Sequence, residues 1–395
     1  MRVKLFVLAA ALLAAPQNYE KNISPEHPAI QYMGAAADPI AELSRKIDGG
    51  QVTLAYRTDG SGYLPAILDQ LGVPRDSQAL VFSKTGLQAF ATAPRTPRAI
   101  YFSDSVAIGV VRGADRLEFV ATDPRQGAIF YAMDAAKSER PRIERETLCL
   151  QCHQGPATAG IPGMYVGSVF PTASGNANFR SGAIVTDQRT AFEDRWGGWY
   201  VSGTHGSQKH RGNAVALDPS NPFVLETEGT QNLTSLDRKF DTSKYLLPTS
   251  DIVALMTFEH QTQMINLMIR AGWESRTGEV SPRTIDDLVD YMTFANEIPI
   301  KEPIEGVSTF TKTFPQRGPK DKMGRSLRDF DLKKRLFRYP LSYLIYSDTF
   351  DAMPGPVQVD VYKKLFEALN SKDPNGRAAI AIVRETKRGL PSFWR

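Results

Sequence analysis

The spacing of apolar and polar positions changes character three times along the chain. Between residues 78 and 133, the runs ALVFS, RAIYFSDSVAIGVV, LEFVAT and GAIFYAM are β-branched and aromatic and are separated by Pro, Gly and Asp turns. Runs of this length and composition predict strands of an antiparallel sheet. Ahead of them, DPIAELSRKID over residues 38–48 predicts a short helix, with Asp38 as its cap and Pro39 in its first turn. From 154 to 240 the chain is rich in Gly, Asn, Ser and Thr, with brief apolar pieces such as GMYVGSVF, GAIVTD and WGGWYVSG. That composition predicts long loops carrying short strands. After Pro248 the period becomes helical, with DIVALMTFEHQTQMINLMIRAG running from a capping Asp251 to Gly272. Further helices are expected around 284–296, 328–351, 357–370 and 376–388. The pattern predicts an α+β fold with a sheet-rich N-terminal part, a loop-rich middle and a helical C-terminal part.

Composition adds limits to this outline. A chain of 395 residues with 42% hydrophobic and 23% charged residues can bury a sizeable core without disulfides. Its net charge of +4 falls to +2 if a leader carrying Arg2 and Lys4 is removed, too little to argue for nucleic acid or a membrane surface. The opening MRVKLFVLAAALLAAPQN has two positive charges, then an apolar run from Leu5 to Ala15, then polar chain. This is the layout of a secretory signal, the apolar run being too short to span a bilayer. The expected organisation is a signal peptide over 1–15, cut after Ala14 or Ala15, then a β-rich region over 16–140. A cofactor-bearing region over 141–247 and a helical region over 248–395 follow. Export to a bacterial periplasm, with no transmembrane segment in the mature chain, is the corresponding expectation.

The two cysteines of the chain lie three positions apart in ETLCLQCHQGP, and a histidine follows the second at once. Exported proteins ordinarily spend cysteines on disulfides, and this spacing serves that poorly. Cys149, Cys152 and His153 instead match the attachment motif for c-type haem. In one helical turn, thiols at i and i+3 point the same way and can each form a thioether to one vinyl group. His153 then offers an imidazole nitrogen to the iron. A dithiol–disulfide site uses the same cysteine spacing, and a zinc site would need two distant histidines besides. A single motif implies one covalently attached haem c per chain.

Candidates for the sixth iron position are few. His27 lies between prolines near the start. His205 and His210 lie in RWGGWYVSGTHGSQKHRGN, where tryptophans, a tyrosine, Arg195 and Arg211 could flank a porphyrin. Their separation of five places them on different sides of a regular element, so one ligand at most is expected. His260 shares a helical stripe with Val253, Met256, Met264 and Leu267, which reads as a haem cover or, more plainly, as core with one satisfied histidine. Met164 and Met353 are further candidates. His210 with Arg211 could also form a distal acid–base and guanidinium pair for peroxide chemistry. Between 312 and 338, ten Lys or Arg residues face three Asp, a solvated face or a docking site for an acidic redox partner.

LCLQCHQGPA, RWGGWYVSGTHG, DIVALMTFEHQTQM and LSYLIYSDTFDAMP together resemble a group of exported bacterial cytochrome c domain (haem c-binding) proteins of uncharacterised role. The resemblance runs from about residue 145 to the C-terminus. It implies haem c at Cys149, Cys152 and His153 and a periplasmic location, and it implies no substrate. The expected function is that of a monohaem c-type, cytochrome-like electron-transfer protein with a periplasmic redox partner. The alternative is a haem c-dependent oxidoreductase, such as a peroxidase, with an open distal iron.

Overall fold

The computed structural model describes residues 22–370 and 373–394, so the expected signal peptide lies outside the described residues. The β-branched and aromatic runs form β1 (Ala79–Val81), β2 (Arg98–Phe102), β3 (Val106–Val111), β4 (Arg116–Asp123) and β5 (Gly127–Asp134), antiparallel neighbours in chain order. A two-residue strand, β6 (Glu144–Arg145), extends one edge beside β5. Farther on, β7 (Val166–Val169) and β8 (Ala183–Thr186) pair as a separate ribbon. The short β9 (Trp199–Tyr200) then returns to the main sheet beside β1. The sheet order is therefore β6-β5-β4-β3-β2-β1-β9. The fold is α+β, and the loop-rich middle contributes an edge strand to the N-terminal sheet.

The helices are α1 (Pro39–Asp48), α2 (Leu64–Leu71), α3 (Leu150–His153), α4 (Ile252–Thr277), α5 (Pro282–Met292), α6 (Phe310–Thr313), α7 (Asp348–Asp351), α8 (Gly355–Leu369) and α9 (Pro374–Thr386). Asp38 caps α1 by accepting from the Ile40 and Ala41 amides, and its other oxygen accepts the Tyr131 hydroxyl of β5 at 2.5 Å. This fastens α1 to one face of the sheet.

The opposite face belongs to α4. Phe258 packs on Phe102 with ring centroids 4.7 Å apart, Gln261 donates to the Ser103 carbonyl, and Trp273 donates to the Arg125 carbonyl. These contacts lie at the turns joining β2 to β3 and β4 to β5, so α4 covers one end of the strands only. The other end of this face, with Arg98, Ile100, Glu118 and Ala132, is half-buried.

Two helical expectations are corrected. The stripe assigned to Val253, Met256, His260, Met264 and Leu267 is no stripe, because α4 is buried on all sides from Ile252 to Glu274. It also runs through Gly272 and stops only at Gly278, whose φ of 145° breaks the helix. Burial offsets the roughly 1 kcal/mol that an interior glycine costs. Residues 328–351 do not form one helix. Pro340 has no amide hydrogen and disfavours helix at Tyr339, so the segment instead folds Phe330 against Phe337 in a stacked pair 5.3 Å apart and resumes as a 3-10 turn at Tyr343–Tyr346.

Among the described residues, no helix is long and apolar enough to cross a membrane.

Candidate haem-attachment site

The chain leaves β6, and the Glu146 carboxylate accepts the Leu148 amide at 3.0 Å. One turn of helix follows. Cys149 has helical dihedrals (φ −58°, ψ −29°), and its carbonyl accepts the amides of Cys152 at 3.2 Å and His153 at 2.9 Å. The thiols are therefore one turn apart on one side, both free, with Cys149 half-buried and Cys152 exposed. Gln154 turns extended (φ −137°, ψ 94°) and ends the helix.

The loop after the turn folds back onto the histidine. Gln154 pairs with Pro162, and the Thr158 hydroxyl bridges the inside of the loop to the Ile161 carbonyl at 2.6 Å. His153 and Gly163 then bond twice. The Gly163 amide donates to the His153 carbonyl at 2.9 Å, and the His153 imidazole Nδ1 donates to the Gly163 carbonyl at 3.0 Å. A carbonyl can only accept, so Nδ1 carries the proton and Nε2 keeps its lone pair. Nothing among the described residues bonds Nε2. The ring lies 5.0 Å from Phe130 of β5 and 5.1 Å from Tyr165, and burial pushes its pKa down to about 4. At neutral pH the imidazole is neutral, the form in which it ligates a metal.

This arrangement is buttressed from α4. Asn266 accepts the Met164 amide at 3.3 Å and donates to the Met164 carbonyl at 2.7 Å, bonding the backbone next to Gly163 on both polar groups. Position 163 requires glycine, since a Cβ there would stand 2.2 Å from the Asn266 Oδ1.

The electrostatics bear on the other readings of the cysteine pair. Burial pushes the Cys149 thiol up to about 12, Glu118 and Glu146 push it the same way, and Arg98 opposes them. A dithiol redox site needs a thiol shifted the other way. Among the described residues, no group of three or more His, Cys, Asp or Glu side chains is placed to share a metal ion, so a zinc built on these thiols lacks its other ligands.

A porphyrin held by sulfur on this turn needs apolar surface, and one apolar side chain at the turn is uncovered. Leu148 is 46% exposed beside Cys149. The residues present fit haem c: two free thiols one turn apart, an imidazole with a fixed tautomer and an unbonded Nε2, and exposed Leu148 beside Cys149.

The remaining candidates lie elsewhere. His260 is fully buried and both ring nitrogens are engaged, Nδ1 with Gln188 at 2.6 Å and Nε2 with Ser342 at 2.8 Å. It is a satisfied core histidine. His205 and His210 are brought together by their loop, rings 4.6 Å apart. Their loop is tied to the start of α4, where the Ile252 amide donates to the Ser202 carbonyl, and the His210 ring lies against Trp196, centroids 5.3 Å apart. His153 lies instead against Phe130 and Tyr165, and among the described residues neither histidine of the loop makes a ring contact or hydrogen bond with it. His205 is engaged besides, its Nε2 accepting the Asn232 amide at 2.9 Å.

His210 and Arg211 part company, because Arg211 pairs with Asp194 and lies over the Phe170 ring at 4.5 Å. Arg195 turns inward to Glu259 at 3.2 Å. His27 accepts the Ala29 amide within its own turn. Met164 is buried with its backbone clasped by Asn266, and Met353 is buried beyond the α4 C-terminus, where Arg276 donates to the Ala352 carbonyl. In the basic run, Arg317, Arg325, Arg328 and Arg335 pair with Asp76, Asp321, Asp104 and Glu297. Arg328 and Arg335 also lie over aromatic rings, so these arginines are structural.

Gly163, Asn266, Phe130 and Tyr165 carry no sequence signal that links them to the motif. Only the Gly-rich ending of the loop, GIPGM, hints that backbone must approach something closely.

No protein-family model, curated protein or solved structure matches the chain.

Proposed function

We propose that this is a monohaem c-type redox protein, with Cys149 and Cys152 as thioether anchors and His153 as the proximal iron ligand. The observation that carries this reading is the His153 Nδ1 bond to the Gly163 carbonyl, 3.0 Å long, with Nε2 left to ligate. Metal-binding histidines characteristically hold their other nitrogen on a carbonyl or carboxylate, which fixes ring and tautomer. Bound haem supplies a one-electron iron couple, and the chain's residues anchor it, orient its ligand and cover part of it. The exposure of Cys152 and Leu148 supports electron exchange with a periplasmic partner across the attached edge. Export, the periplasmic setting and kinship with haem c-binding proteins belong to the same proposal.

Expression into a periplasm with haem-attachment machinery tests it. The expected product is red, heavier than the processed chain by one haem, and shows a c-type pyridine haemochrome spectrum. Replacing both cysteines by alanine should abolish covalent attachment. A colourless product of bare-chain mass ends the proposal.

One observation favours the alternative of an open iron over a closed one: His260 has both ring nitrogens bonded in the core and His205 Nε2 accepts the Asn232 amide. An open iron binds carbon monoxide when reduced, with an immediate spectral change. A reduced spectrum unmoved by carbon monoxide restores the closed, electron-transfer form.

A further inference from the structure

The sheet face that carries His153 also carries a charge pair that attachment does not use. In the register of the sheet, Ile100, Gly109, Glu118 and Ala132 lie side by side across β2 to β5, so they share one face with Arg98 and Phe130 two residues along their strands. Phe130 is the ring against His153. α4 covers only the end of this face holding Phe102, Val120 and Ala128, and the end holding Arg98 and Glu118 reaches solvent.

The guanidinium of Arg98 lies over β3 because Gly109 leaves room for it; a Cβ there would meet Nη2 at 2.4 Å. Nη2 pairs with Glu118 at 2.6 Å, with side-chain exposures of 26% and 16%. Nε is buried and has no partner. A guanidinium has five N–H donors, and a single carboxylate takes two of them at most, so Arg98 keeps donors in reserve beside the attachment turn. The same two side chains act electrostatically on Cys149, and Arg98 on His153, in keeping with this placement.

We infer that Arg98, laid over Gly109 and restrained by Glu118, is an anion-binding group of the cofactor site. It takes a carboxylate of the porphyrin itself or a small inorganic anion brought to the iron. The inference rests on the haem c reading above. Its alternative is an ion pair that serves only to brace the sheet.

The test uses the exported, haem-loaded protein and the variants Arg98→Leu, Arg98→Lys and Glu118→Gln, each confirmed to carry covalent haem. One arm titrates the ferric protein with fluoride and azide by absorption. The other records the propionate-bending band by resonance Raman spectroscopy. If the anion is exogenous, Arg98→Leu weakens fluoride and azide binding by roughly 10- to 100-fold, the range of a lost charge-assisted hydrogen bond. Arg98→Lys should restore part of it, and Glu118→Gln, by freeing donors, should tighten binding. If the anion belongs to the porphyrin, the propionate band shifts in Arg98→Leu while fluoride and azide affinities hold. Coloured variants in which neither arm moves overturn the inference and leave attachment standing. A colourless wild-type protein removes attachment and this inference together.

Discussion

His153 and Asn266 hold the same stretch of backbone from opposite sides: the imidazole donates to the Gly163 carbonyl, and the carboxamide bonds both polar groups of Met164. The orientation of the candidate iron ligand is thus set by a residue of α4 more than a hundred positions away. Asn266→Ala should remove two buried hydrogen bonds and leave the Met164 groups unpaired, a loss of about 2–4 kcal/mol. The haem should still attach, since the thiols are untouched, but with a disturbed ligand-field spectrum. Chemical denaturation and absorption spectra of the loaded variant check both parts. Gly163→Ala should act in the same direction, because its Cβ would overlap Asn266.

In protein made without haem, the two thiols should react unequally. Cys152 is exposed, while Cys149 is half-buried and its thiol is held protonated up to about pH 12. Reactivity follows thiolate fraction and access. Brief alkylation at pH 8 should give a single adduct at Cys152, located by peptide mass analysis. Equal labelling would contradict this.

Acid should weaken the fold through its buried histidines. Burial pushes His210 and His260 down to about 3, below the ordinary value near 6.5 that they regain on unfolding. The unfolded chain therefore takes up protons below pH 6.5 that the folded chain refuses, and each histidine removes about 1.4 kcal/mol per pH unit down to its folded value. Glu259 works with the opposite sign. Burial holds its carboxyl up to about 7 against the pull of Arg195, so its proton favours the fold at low pH, and that benefit fades as pH rises from about 4.5 to 7. Between pH 6.5 and 4.5 these three groups together give a loss near 1.4 kcal/mol per unit, and in the haem-free chain His153, held down to about 4 by burial, adds another histidine's share. In urea melts, His260→Gln should cut that slope by one histidine's share.

Replacing the touching pair should leave the haem spectrum alone. His205→Ala and His210→Ala remove rings that contact each other, Trp196 and the Asn232 amide, and none of the residues that hold His153. Oxidised and reduced spectra of the loaded variants should match the wild type, with any cost confined to stability. A change of spin state in either variant would show that the loop reaches the iron.

Much of the scaffold was legible in one dimension, for local reasons. The β-branched and aromatic runs LEFVAT and GAIFYAM become β4 and β5 because strand composition and its flanking turns are local signals. Asp38 and Asp251 cap α1 and α4 as read, since a cap is a contact between residues two or three apart. Segment 328–351 has helical apolar spacing and yet is not one helix, because its conformation is decided by a Phe330–Phe337 stack and by arginines pairing with distant acids. Strands as short as β6 and β9 carry too few residues for any period.

By itself, the sequence determined the turn that places two thiols and an imidazole together, because spacing along a helix is a property of the backbone. It also determined the strand and helix segments whose apolar period is local. Tertiary structure alone decided that the His153 Nδ1 is held by the Gly163 carbonyl, that His260 is tied off in the core and that His205 and His210 touch each other. It likewise brought Asn266 to Gly163 and laid Arg98 over Gly109. Each of those outcomes depends on partners distant in the chain and joined only when the core closes, and no local pattern of residues encodes such a meeting.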